Sequence, residues 1–161
     1  MNEIIDLRSD TVTLPTEEMK KAIANAKLGD DVFQEDPTVI KLEKKAAEIM
    51  GKDAGLLVPS GTMGNLVSIL THCPRGTEIL LGDKSHTFYY EAGGISAFGG
   101  IHSRQLKNQK DGTIKLNDIQ SAIRVDNVHF PKTSALTLEN THNLCNGSPL
   151  SAKYIYEVAQ I

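Results

Sequence analysis

The sequence predicts an α/β fold, a mostly parallel sheet flanked by helices, and three observations carry that prediction. Strand candidates at Ala54-Gly55-Leu56-Leu57, Glu78 to Gly82, Ile101 to Leu106 and Ala135 to Glu139 alternate with stretches of helical spacing, the pattern of successive βαβ units. Three polar clusters, Ser60-Gly61-Thr62, Ser85-His86 and Asn140-Thr141-His142-Asn143, fall at C-terminal strand ends, where parallel sheets bind their ligands. The last helical stretch stops at Ile161 in mid-period, with no Gly, Asn or basic residue to cap it. The chain is therefore expected to be cut short, and its sheet of about four strands to be part of a larger one.

The elements follow in order. Asp6 to Pro15 is polar and has no helical period, which predicts an extended arm over residues 1–15. Thr16 caps a helix with Met19, Ala22, Ile23 and Ala26 on one face, and Gly29 closes it. After the acidic loop Gly29 to Asp36, Asp36 and Pro37 stand as N-cap and N1 of a second helix, which turns Val39, Leu42, Ala46, Ile49 and Met50 inward and stops at Gly51. Ala54 to Leu57 reads as the first strand. The octet Val58 to Asn65 then breaks that run at Pro59-Ser60-Gly61-Thr62 and restarts with helical spacing, ending near His72-Cys73-Pro74.

Such a corner gathers free backbone N–H groups, hydroxyls and the positive end of a helix dipole, and two readings fit it: a phosphate site or an ordinary capped helix. Glu78 to Gly82 is a second strand and leads directly into Ser85-His86. Thr87 to Ala92 is helical and Gly93-Gly94 ends it. Ile101 to Leu106 is a third strand and Asp111-Gly112 a turn. Leu116, Ile119, Ala122 and Ile123 mark a helix with Asn117 as candidate cap, Ala135 to Glu139 is a fourth strand, and Ser151 opens a helix carrying Ile155, Val158 and Ala159.

Composition narrows the function classes. With 17 Lys+Arg against 20 Asp+Glu the net charge is -3 and the charges are interspersed, which argues against a nucleic-acid partner. No apolar stretch approaches the roughly 18–20 residues of a membrane span. The acidic N-terminus lacks the basic and apolar regions of a secretory signal. Cys73 and Cys145 stand far apart, so a reduced, cytoplasmic setting is expected. Together with His72 and His142 they lack metal-site spacing, and no metal is expected.

Six segments in series closely resemble the low-specificity L-threonine aldolases, members of the β-eliminating-lyase-like group of fold-type I enzymes that use pyridoxal 5'-phosphate. They are Asp6 to Thr13, Gly29 to Val32 with Glu35 to Thr38, Val58 to Asn65, His86, Glu91 to Gly94, and Leu138 to Asn143. The resemblance implies that residues 16–161 form the N-terminal part of the cofactor-binding large domain. It implies cleavage of L-threonine or L-allo-threonine to glycine and acetaldehyde, within a homo-oligomer, either a dimer or a tetramer.

On these positions Ser60, Gly61 and Thr62 resemble the phosphate cradle, and His86 resembles the histidine that stacks on the pyridine ring. Asn143 would approach the cofactor's 3-hydroxyl. Ser9 would help fix the substrate carboxylate, Glu91 would support the substrate pocket, and His129 would stand near the substrate side chain as base or water holder. Without the resemblance, His86 also fits a hydrogen-bonded structural histidine. The lysine that tethers the cofactor, a carboxylate for the pyridine nitrogen and a carboxylate-binding arginine are expected in later sequence. None of Lys84, Lys107, Lys132 or Lys153 stands in a matching motif. The chain alone is therefore expected to be inactive. Phe33-Gln34 departs from the Tyr-Gly that many relatives carry. Two other readings stay open: a different β-eliminating lyase, or a non-catalytic interaction domain.

Overall fold

The computed structural model describes residues 4–161, which divide between Pro59 and Ser60 into two compact units. In the first unit a short 3-10 turn, Asp10–Val12, interrupts the expected extended arm. Helix α1 (Glu17–Ala24) starts at Thr16, whose hydroxyl accepts the Met19 N–H at 3.2 Å. It ends at Asn25, before the expected Gly29, because the Asn25 side chain caps the helix by donating to the Lys21 carbonyl at 2.7 Å. Gly29 answers a different need: a Cβ there would clash with the Glu35 carbonyl.

Helix α2 (Pro37–Met50) begins and ends as its sequence dictates. Asp36 accepts from the N–H groups of Thr38 and Val39, and Gly51 closes the helix with a left-handed φ of 61°. Three backbone N–H donors, the third from Gly29, hold the Asp36 carboxyl below its ordinary range. The strand expected at Ala54–Leu57 does not form. Among the described residues this run joins no ladder, and the Leu57 N–H goes instead to the Glu43 carboxylate at 2.7 Å.

The second unit holds α3 (Gly61–His72), β1 (Glu78–Gly82), α4 (His86–Tyr89), α5 (Gly94–Ala97), β2 (His102–Leu106), α6 (Leu116–Ala122), β3 (Thr133–Leu136) and α7 (Ala152–Ala159). The sheet has three strands rather than four, all parallel, in the order β2-β1-β3. Central β1 is buried along its whole length. Its side chains alternate between two layers. Ile79 and Leu81, with Ala135 of β3, meet Ile69 and Cys73 of the α3 segment and Ile95 of α5. Leu80 and Leu136 line the opposite face with Ile119 of α6 and Val158 of α7. Burial pushes the Cys73 thiol up, away from the reactive thiolate.

Two local expectations change. The helix expected over Thr87 to Ala92 is the shorter α4, and past Ala92 and Gly93, which adopt left-handed φ values of 52° and 67°, a further helix, α5, forms where the sequence suggested none. Helix α6 starts before Asn117, behind Lys115, with no side-chain cap.

Candidate functional site

The N-terminus of α3 carries the first part of the site. Ser60 is extended, and its hydroxyl accepts the Met63 N–H at 3.1 Å while its carbonyl accepts the Gly64 N–H at 3.0 Å. Among the described residues the N–H groups of Gly61 and Thr62 have no protein acceptor. A Cβ built on Gly61 would meet nothing within 4 Å. Two unspent donors at the positive end of a twelve-residue helix are what an anion needs.

One turn further along, Asn65, Ser68 and Ile69 form one wall of a cavity of about 180 Å³. Ser85, His86 and Thr87, just past β1, form the second wall, and Thr137, Leu138 and Glu139, just past β3, the third. The cavity therefore lies at the C-terminal edge of the sheet, as expected. Ser60, Gly61 and Thr62 do not line it; they share its α3 wall one turn upstream. The hydroxyl oxygens of Thr87 and Thr137 are buried without a partner.

Two carboxylates order this edge. Glu91, only 6% exposed, accepts from the Asn65 amide at 2.7 Å and meets His86 Nδ1 at 2.9 Å, both on Oε1. Glu139 takes the His86 backbone N–H at 2.8 Å on Oε2 and the Asn143 N–H at 3.1 Å on Oε1. His142 is 1% exposed, and its Nδ1 lies 3.5 Å from Glu139 Oε1. The ring of Tyr90 is tilted against that of His86 with centroids 5.4 Å apart. Half of the His86 side chain remains open to solvent.

The structure thus brings His86, Glu91 and Asn143 to one edge, with the Ser60-Gly61-Thr62 corner on the helix that walls it. It does not bring His129 there. His129 lies in the segment leading into β3, where the Lys132 carbonyl accepts the Glu78 N–H at the N-terminal end of β1, across the sheet from the cavity. Its own N–H goes to Asn127, and its expected place beside the substrate side chain finds no counterpart within this unit. Glu91 is spent on two protein partners rather than turned toward a substrate. Ser9 belongs to the first unit, where its hydroxyl caps the 3-10 turn by accepting the Thr11 N–H at 3.2 Å. Sequence reasoning gave no role to Asn65 or Glu139, although both lie inside segments that carry the resemblance; their partners come from remote segments and leave no local signal.

The residues present fit pyridoxal phosphate on three counts: unspent N–H donors for a phosphate, an imidazole on the cavity wall for a flat ring, and buried hydroxyls without partners. A family model for beta-eliminating lyases matches residues 6–161. The chain is 51% identical over 160 residues to a probable low-specificity L-threonine aldolase 2 of Arabidopsis thaliana, covering 98% of this chain and 45% of that protein. It is 44% identical over 154 residues to the low specificity L-threonine aldolase of Escherichia coli K12, covering 96% and 45%. In fold it is similar to a crystal structure assigned as an L-allo-threonine aldolase from Listeria monocytogenes, with a TM-score of 0.69 at 19% identity over 88% of this chain and 38% of that one. The chain spans just under half the length of the curated relatives it matches. With a parallel sheet, a polar edge and a family match running from the arm to the last helix, this chain belongs to the beta-eliminating lyase family.

Proposed function

We propose that this chain supplies the phosphate-anchoring and ring-facing part of a pyridoxal-phosphate-dependent aldehyde-lyase, which cleaves L-threonine or L-allo-threonine to glycine and acetaldehyde. The observation that carries the proposal is the pair of unspent N–H donors at Gly61 and Thr62, one helical turn from the cavity that His86 lines. When bound, the cofactor supplies an electron sink for the charge left at Cα as the Cα–Cβ bond breaks.

The chain's own residues have distinct tasks. Gly61 and Thr62 would donate to the phosphate, with the Thr62 hydroxyl as a further donor. His86 would pack against the ring, and with Nδ1 engaged by Glu91 its Nε2 would be the atom that takes the β-hydroxyl proton. Glu139 holds the segments bearing His86 and Asn143 at a fixed spacing, which keeps Asn143 available to the cofactor's 3-hydroxyl. Ser9 enters as a carboxylate ligand through the family resemblance alone. A homo-oligomer, dimer or tetramer, belongs to the same proposal, and light scattering of the purified protein checks it.

The test is incubation of the full-length protein with the cofactor and L-threonine. Glycine and acetaldehyde in equal amounts are expected. Release of neither overturns the proposal, and pyruvate with ammonia reassigns the chain to β-elimination.

A further inference from the structure

We infer that Glu91 is a positioning residue for His86: held by Asn65, it fixes the neutral imidazole as the tautomer protonated on Nδ1 and sets the angle of the ring. An ionised carboxylate only accepts hydrogen bonds. Glu91 Oε1 meets the Asn65 amide at 2.7 Å and His86 Nδ1 at 2.9 Å, so the imidazole nitrogen at that contact is the one that carries the proton. The proton's position on one nitrogen leaves the other, Nε2, with its lone pair free.

Burial makes the contact strong. The Glu91 side chain is 4% exposed, so water cannot replace either donor, whereas the His86 side chain is 49% exposed and would otherwise turn freely. Ala92 follows Glu91 at a φ of 52°, a conformation L residues avoid, and Gly93 continues it at 67°. Helix α4 and its C-cap Tyr90 span the five residues that bring Glu91 back to the His86 ring, the left-handed pair then turns the chain away into α5, and Asn65 reaches the same oxygen from α3. The other groups at His86 act elsewhere: Glu139 engages the backbone N–H, and Tyr90 offers a tilted ring. Glu91 is therefore the group that selects the tautomer, and Asn65 keeps its carboxylate from rotating away.

The catalytic meaning of this arrangement rests on the function proposed above, but the tautomer does not. It is read by two-bond ¹H–¹⁵N spectra of histidine-labelled protein without cofactor at about pH 9, above the ordinary imidazole range, with His86 assigned by its loss in His86→Gln. The expected pattern is a protonated Nδ1 and a bare Nε2. Glu91→Gln, which keeps a neutral acceptor, retains that pattern. Glu91→Ala moves the proton toward Nε2, and Asn65→Ala moves it part of the way. A wild-type ring protonated on Nε2, or an Ala variant with an unchanged spectrum, overturns the inference, and the wild-type spectrum alone decides if the variants do not fold. In the full-length protein Glu91→Ala lowers kcat by about tenfold or more with KM little changed. Absence of aldolase activity in the wild type would remove the proposed function and leave the tautomer result standing.

Discussion

Glu78 opens the central strand at the edge opposite the cavity, and its charge can be removed with a calculable effect. Its side chain is 0% exposed and faces Arg124, whose Nε lies 3.0 and 3.1 Å from the two carboxylate oxygens and whose Nη2 lies 3.0 Å from Oε2. Arg104 stands 3.8 Å away and His102 3.6 Å. Glu78→Gln keeps the shape but leaves Arg124 without a counter-charge, and breaking a buried pair from one side costs about 3–5 kcal/mol. Arg124 keeps 26% of its side chain in water and can rehydrate in part, which places the loss at the lower end, about 3 kcal/mol. At a urea slope of about 1–3 kcal/mol/M, that loss lowers the unfolding midpoint of the second unit by about 1–3 M. The chain has no tryptophan, so far-UV circular dichroism is the appropriate probe. Replacing both partners with apolar residues of similar volume, Glu78→Leu with Arg124→Met, recovers most of the loss because no unpaired charge remains. A midpoint unchanged in Glu78→Gln, or a double variant no better than the single one, would refute the reasoning.

Three further outcomes are expected. Tyr154→Phe leaves both the N–H and the carbonyl of Ile114 unpaired, since the phenol bonds each at 2.8 Å and Ile114 is 2% exposed; a loss of about 1–3 kcal/mol, with faster amide exchange in α7, is expected. The Asp36 carboxyl is held below its ordinary value of 3.8 by three backbone donors, so its contribution is complete above that pH and is lost as pH falls through the folded-state value. The stability gap between wild type and Asp36→Asn, followed by helical signal during thermal melts, therefore closes on acidification; a gap independent of pH would contradict this. Gly82→Ala drives a methyl group into the side chain of Asn108, which joins the Lys84 N–H at 3.0 Å to the Gly112 carbonyl at 3.1 Å, and is expected to cost about 1–3 kcal/mol in denaturant titration.

What the sequence determined by itself was local chemistry repeated along the chain. Thr16, Asp36, Ser60 and Ser151 each cap a helix with their own hydroxyl or carboxylate, and the Ile79-Leu80-Leu81 run of β1 is apolar on both faces and is buried on both. These signals span a few residues, which is the range over which one side chain can satisfy a neighbouring N–H. The motif series located the polar edge and His86 for a similar reason: Ser85-His86 and Leu138 to Asn143 follow β1 and β3 within a few residues.

Only the tertiary structure decided which of these groups meet. Ala54–Leu57 is apolar enough for a strand, but a strand exists only where another offers its N–H and carbonyl groups, and Glu43 takes the Leu57 N–H instead. His129 looked as chemically apt as His86, yet it lies at the other end of the strands. Asn65, Glu91 and His86 share one oxygen across 26 and 5 residues of sequence. Contacts of that kind depend on how helices and strands are stacked, and residue type at a single position carries no record of the partner that stacking will bring.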